Sequence, residues 1–562
     1  MKHFQNIIIF FIFSLITLKC SSGYEQADYK RTEATSGKNY YSPSQTIKSE
    51  PMRPYPKGGK PDSVNNQIPK TKNKTMQEGA SGVSDGEIIK KEDFNTESYS
   101  HVEENSFLDV SKNPLSTFSI DVDTASYSNI RRFLNSGSKP PIDSVRIEEM
   151  INYFYYQYPP PDKEPFSINT EYSSCPWNPD HKLALIALQG KKIDNQQMPP
   201  RNLVFLVDTS GSMEDANKLP LLRKAVNLLV NQLNKRDTLS IVAYAGSAGL
   251  VLPPTKGDDK QKILESLERL RAGGSTNGGA GIELAYKTAK ENFNKSGVNR
   301  VILATDGDFN VGTSSEGDLV RLIEEQRKSG VFLSVLGFGM GNYKDSMMEK
   351  LANKGNGNYA YIDTIAEAKK VLVEQAGGTL VTIAKDVKIQ IEFNPKYVSS
   401  YRLIGYEDRL LRNEDFNDDT KDAGEIGAGH TVTALYEIVP SNIEPKGGKV
   451  DPLKYQKKSE LSEAANTEEL VTVKIRYKDP DKDTSKLLTQ IIYNKPIDFA
   501  NASNNLKFAS SVAGFGLLLR NSKHKGNLDY EKLIKMANQS IGEDSNGYRA
   551  EFVKLVNIAK KM

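Results

Sequence analysis

Leu203-Val204-Phe205-Leu206-Val207-Asp208-Thr209-Ser210-Gly211-Ser212-Met213 is the stretch on which the reading of the chain turns. Its five consecutive apolar residues, bounded by polar ones, read as a strand buried on both faces of a parallel sheet. The chain then leaves through a turn of small hydroxyl residues. Asp208, Ser210 and Ser212 are spaced so that a tight loop turns all three oxygens toward one point, and Gly211 is expected to let the backbone bend without a Cβ clash. Carboxylate and hydroxyl oxygens are hard ligands suited to a magnesium-like cation. Alone, the pentapeptide reads equally well as a serine-rich turn that caps the next helix.

Two further stretches shift that balance. Gly273-Gly274-Ser275-Thr276-Asn277-Gly278-Gly279 is a loop that opens a helix and carries a hydroxyl at Thr276, and Val301-Ile302-Leu303-Ala304-Thr305-Asp306-Gly307 is a second apolar strand ending in a carboxylate. Ligand sites in open parallel sheets form beyond the carboxyl ends of strands, where Asp208, Asp306 and Thr276 would meet.

These residues resemble the von Willebrand factor type A domain with its metal-ion-dependent adhesion site: D-x-S-x-S, a threonine in a Gly-rich loop, then T-D-G after an apolar strand. The resemblance implies that Ser210, Ser212 and Thr276 give direct or water-mediated oxygens to a divalent metal, magnesium first and manganese or calcium next, with Asp208 and Asp306 acting partly through water. Two carboxylates only just balance a divalent ion. If one acts at a distance, the metal stays electron-poor and keeps an exchangeable position that an Asp or Glu side chain of a protein partner would fill. Activating a water for hydrolysis needs a nearby general base. No histidine lies between His181 and His430, so binding is expected rather than catalysis.

The 562 residues are 38% hydrophobic and 26% charged, a globular balance with length for several domains. A net charge of +3 gives no argument for nucleic acid, and two cysteines, Cys20 and Cys175, make no disulfide framework. Residues 1–20 read as an export signal: a basic start, an apolar run from Ile7 to Leu18, then Cys20. A cysteine there resembles a bacterial lipoprotein signal, implying acylation at Cys20 and a membrane-anchored protein of the cell envelope. Lys19 stands where a small residue is usual, which keeps open a simple secretory peptide or an uncleaved anchor with an incidental cysteine. Residues 21–112, poor in large apolar side chains, read as a disordered tether.

The opening of the body, Thr117-Phe118-Ser119-Ile120-Asp121-Val122-Asp123-Thr124-Ala125-Ser126-Tyr127, resembles the N-terminal module of the bacterial YfbK-like proteins. Residues 113–200 are expected to form an α+β module, with Asp123 or Thr124 capping a helix and another amphipathic helix from Ile142 to Tyr153. In residues 201–378, strands alternate with helices such as Leu219 to Leu233 and Ile282 to Phe293, the signature of a doubly wound, mostly parallel α/β sheet. Gly337-Phe338-Gly339-Met340-Gly341 lacks the full dinucleotide fingerprint and the Gly273 loop lacks G-K-[ST], so no nucleotide is expected.

Residues 379–497 switch to period-two alternation, as in Asp386–Phe393, Val432–Ile438 and Leu470–Tyr477, and read as half-buried strands of a β-sandwich. Strands between Phe166 and Leu188 are expected to join it, so that the α/β domain is inserted in the sandwich with its metal face free. Residues 498–562 return to helical periodicity as a structural cap. Three functions fit this layout in descending order: a metal-dependent module that captures an acidic partner, an assembly scaffold in which the metal only orders loops, and a metal-assisted hydrolase.

Overall fold

The computed structural model describes residues 96–194, 197–245, 247–274, 278–307, 315–444 and 460–562. Cys20, Thr276 and the first 75 positions of the expected tether (21–95) lie outside the described residues. Among the described residues no helix is long and apolar enough to cross a membrane.

Two short strands open the body, β1 (Leu108–Asp109) and β2 (Leu115–Ser119), followed by helix α1 (Ala125–Asn135), helix α2 (Ile147–Asn152) and a hairpin of β3 (Phe166–Cys175) and β4 (Asn178–Gly190). Order begins ahead of residue 113, which corrects the expected reach of the tether. The polar segment before β1 is held by specific bonds, Glu97 to Arg132 and Asn105 to the carbonyls of Leu403 and Gly405, and by burial of Phe107. The helix expected over Ile142–Tyr153 breaks into a 3-10 turn at Ile142–Ser144 and α2, because Val145 and Arg146 between them adopt non-helical conformations. Neither expected cap is made: α1 has no side-chain cap, and Asp123 instead accepts from the Tyr359 amide at 2.7 Å and from Arg409 at 3.1 Å.

The α/β part comprises β5 (Arg201–Asp208), α3 (Leu219–Val230), β6 (Thr238–Tyr244), β7 (Ala248–Lys256), α4 (Lys260–Arg269), α5 (Gly278–Glu291), β8 (Val298–Thr305), α6 (Glu316–Arg327), β9 (Phe332–Phe338), α7 (Asp345–Lys354), β10 (Tyr359–Ile362) and α8 (Ile365–Lys369). Its strands lie in the order β10-β9-β8-β5-β6-β7, all parallel except the edge pair β6 and β7. Leu203, Phe205 and Val207 pack on the side of α3 and α4, while Val204 and Leu206 pack on the side of α5, α6 and α7. Both faces are covered, which is why the strand reads as an unbroken apolar run. Strand β7 escapes a sequence reading because Pro253-Pro254 interrupts it, a pair that an edge strand tolerates.

A short helix α9 (Ala376–Leu380) leads into β11 (Thr382–Phe393), β12 (Val398–Ile404), β13 (Gly424–Gly427), β14 (Thr431–Pro440), β15 (Glu469–Lys478) and β16 (Ser485–Tyr493). These form two sheets, β1-β12-β14-β4-β3 and β13-β11-β15-β16, with β2 beside β11. Ile186, Leu188, Ile391, Tyr436, Ile438 and Val473 fill the space between them.

The last helices, α10 (Asn504–Leu519), α11 (Tyr530–Gln539) and α12 (Tyr548–Ala559), cover the other face of the first sheet, packing with Leu183, Leu185 and Leu435. Strand β14 is therefore buried from Thr431 to Val439 rather than half-buried. Its polar positions face partners on the covered side, where Glu437 lies against Arg402 at 2.7 Å and His181.

Candidate metal-binding site

Asp208 ends β5 and Asp306 follows β8, adjacent central strands, so the parallel register brings their carboxylates together at the carboxyl edge of the sheet. Both are fully buried. One Asp208 oxygen accepts from the Ser210 amide at 2.9 Å; the other accepts from the Thr305 hydroxyl at 2.9 Å and from the Tyr244 hydroxyl at 3.2 Å. Burial pushes the Asp208 acid above the usual carboxylate range against the Ser210 hydrogen bonds, and the neighbouring Asp306 charge pushes the same way.

The Ser210 and Ser212 hydroxyls lie 3.0 Å apart. Adjacent oxygens around an octahedral magnesium at about 2.1 Å sit about 3 Å from each other, so this pair fits two neighbouring coordination positions. Hard oxygens with two carboxylates in reach are the donor set a magnesium-like ion takes. Ser212 is half-buried and Gly211 exposed, which leaves an approach from solvent. Gly211 does not play the expected backbone role: its φ is not positive, and an added Cβ would meet nothing nearer than the Gly274 carbonyl at 3.9 Å.

The glycine-rich loop is fastened to this turn by main-chain bonds, Gly273 N–H to the Thr209 carbonyl at 2.8 Å and Gly211 N–H to the Gly274 carbonyl at 3.2 Å. Thr276, two residues further along the sequence, lies outside the described residues. The structure thus brings together Asp208, Ser210, Ser212 and Asp306 and leaves Thr276 and Cys20 undescribed.

Four neighbours were not singled out from sequence. Thr305 and Tyr244 hold Asp208, as above. Asn342, just past the G-F-G-M-G stretch, donates to Asp306 Oδ2 at 3.0 Å. Lys218, at the head of α3, donates to the same oxygen at 3.1 Å and to Asn342 Oδ1 at 3.2 Å. Only Thr305 carried a local signal, as the first residue of T-D-G; a lysine at the start of an amphipathic helix ordinarily reads as solvated.

The face that carries these residues is not left wholly free. Residues 96–98 run beside the loop that carries Asn342: Thr96 N–H bonds the Gly341 carbonyl at 2.6 Å, Ser98 N–H the Tyr343 carbonyl at 3.0 Å, and Glu97 accepts from the Gly341 amide at 2.8 Å. In a separate carboxylate group, Asp386, Asp422 and Glu425, two charges are answered within the fold, Asp386 by Lys478 at 2.7 Å and Asp422 by Arg327 at 2.7 Å, while burial pushes the Glu425 acid well above the usual carboxylate range.

Three families match: von Willebrand factor over residues 93–185, von Willebrand factor type A domain over 202–375, and "Uncharacterized protein YfbK, C-terminal" over 378–562. Uncharacterized protein sll0103 of Synechocystis is 28% identical over 183 residues, 33% of this chain and 42% of that one. Among solved structures, a von Willebrand factor type A protein from Catenulispora acidiphila is 16% identical with a TM-score of 0.40, covering 72% of this chain and 91% of that one. Uncharacterized protein YfbK of Escherichia coli K12 is 43% identical over 475 residues, 83% of this chain and 81% of that one. With the α/β sheet of a von Willebrand factor type A domain at its centre and this identity across most of both sequences, the chain belongs to the YfbK family.

Proposed function

We propose that the site formed by Asp208, Ser210, Ser212, Thr276 and Asp306 binds a divalent cation, magnesium in preference to manganese or calcium, and that the loaded site captures an Asp or Glu side chain of a protein partner. The module acts at the bacterial cell envelope, where acylated Cys20 holds it to the membrane. The carrying observation is the hydroxyl pair of Ser210 and Ser212, 3.0 Å apart beside two fully buried carboxylates and open to solvent at Ser212.

When bound, the cation supplies a Lewis-acidic position for a carboxylate. The residues of the chain do the rest. Asp208, its oxygens engaged by Ser210, Thr305 and Tyr244, acts through its charge and by fixing the turn that presents both serines. Asp306 is oriented by Asn342 and Lys218. The side chains touching these carboxylates are committed to holding them, which supports binding over catalysis. The main-chain bonds between the Thr209–Gly211 turn and Gly273–Gly274 already hold two loops in register, which favours partner capture over a metal that only orders loops.

The test is fluorescence anisotropy of a labelled peptide containing one Asp, and of its Asn counterpart, with the full chain in magnesium or in chelator. Binding of the Asp peptide alone, lost in chelator and in Ser212→Ala, is expected. Equal binding of both peptides, or binding indifferent to chelator, refutes the proposal.

A further inference from the structure

Lys218 is buried, 4% exposed, with its Nζ 3.1 Å from Asp306 Oδ2 and 3.8 Å from the exposed Asp215. Its stem is built into the fold. It passes Gly339, which sits at φ +80°, and a Cβ there would lie 2.3 Å from Lys218 Cε and 2.8 Å from Cγ. The backbone of the loop after β9 is shaped to admit this one side chain, and Asn342 from the same loop receives its ammonium group.

The ammonium changes the charge balance of the site. Asp208 and Asp306 alone would neutralise a divalent ion. With Lys218 against Asp306, these three buried groups carry one net negative charge, so a bound divalent ion leaves one positive charge over; Asp215 is exposed, and water screens its charge. A carboxylate from outside cancels it. In a buried setting such an imbalance is felt strongly, because neither water nor salt screens it well.

We infer that Lys218 couples the two occupants of the site: it weakens the hold on the cation alone and makes cation and acidic ligand bind together, so that the loaded site selects anionic groups. This rests on the metal-dependent capture proposed above and assigns Lys218 as its specificity-determining residue. Without the ammonium, the cation is neutralised by the two aspartates and an incoming carboxylate meets no surplus charge. By linkage, whatever factor the carboxylate adds to cation affinity, the cation adds to carboxylate affinity.

The experiment is calorimetric titration of magnesium, and separately manganese, into the full chain in sodium chloride and in sodium acetate at equal ionic strength, for wild type, Lys218→Met and Lys218→Gln, with circular dichroism confirming the fold. In wild type, acetate is expected to raise cation affinity at least about fivefold; in both variants the cation binds at least about tenfold more tightly in chloride, and acetate changes its affinity less than about twofold. Wild-type affinity that ignores acetate overturns the inference without the variants, and so do variants that keep the wild-type affinity in chloride or the wild-type acetate dependence. Absence of cation binding in wild type and variants alike overturns the metal site itself, a result distinct from binding without coupling.

Discussion

Arg146, just ahead of α2, pairs with Asp345, the first residue of α7, through two guanidinium contacts of 2.5 and 3.3 Å between fully buried groups. The same guanidinium meets Glu149, which in turn accepts from the Ser126 amide at 2.8 Å. The N-terminal module and the α/β domain are thereby joined by a buried ion network three residues from Asn342. Removing the cation strands two buried carboxylates, so Arg146→Met should lower unfolding stability by about 3–5 kcal/mol, and Asp345→Asn in the same chain should restore part of it. Urea unfolding measures both; a loss under about 1 kcal/mol for Arg146→Met contradicts the role given to the pair.

Glu437 on β14 gives a pH signature. Burial alone would raise its acid, but the His181 hydrogen bond and the Arg402 charge override it and hold it at about 2, below the ordinary 4.5. A carboxylate depressed in the folded state contributes stability that is full above its unfolded value and lost as pH falls through the folded one. Between pH 4.5 and 2 the wild type should therefore lose about 3 kcal/mol more than Glu437→Gln does. Parallel acid unfolding curves for the two proteins would contradict this assignment.

Gly339 and Lys218 should behave as one unit. Gly339→Ala places a Cβ in left-handed backbone and against the lysine stem, and a stability loss of about 1–3 kcal/mol is expected. Because the stem is displaced, the variant should also bind magnesium more tightly in chloride, as is expected of Lys218→Met. Unchanged stability with unchanged magnesium affinity contradicts the fit between these two residues.

Glu97 fastens the start of the described chain to the loop that carries Asn342, accepting from Arg132 at 2.8 and 2.9 Å and from the Gly341 amide. Glu97→Ala removes charge-assisted bonds from a mostly buried group, and a loss of about 2 kcal/mol in thermal or chemical unfolding is expected. A change within about 0.5 kcal/mol would show that residues 96–98 rest on the loop without holding it.

The sequence carried the central sheet because its signal is local: Leu203–Val207 is apolar throughout since helices cover both faces. Asp208, Ser210, Ser212 and Asp306 were legible for the same reason, each lying within a few residues of the strand end that positions it. Lys218 and Asn342 reach Asp306 from 88 and 36 residues away, and nothing in their own neighbourhoods marks them. Val432–Ile438 alternates as a half-exposed strand would, yet the helices from Asn504 onward bury its second face through Leu435, a contact that no short window contains. Residues 96–112 resemble a tether in composition, while Glu97, Asn105 and Phe107 find partners far along the chain.

Thermal unfolding of the full chain, wild type and Asp208→Ala, titrated with magnesium, manganese, calcium or chelator, tests the metal site most directly. A cation that binds only the folded state adds about 2.7 kcal/mol of stability at 100 times its dissociation constant. The account predicts that gain in the wild type, reversed by chelator and absent in Asp208→Ala; a folded wild type whose unfolding ignores all three cations contradicts it.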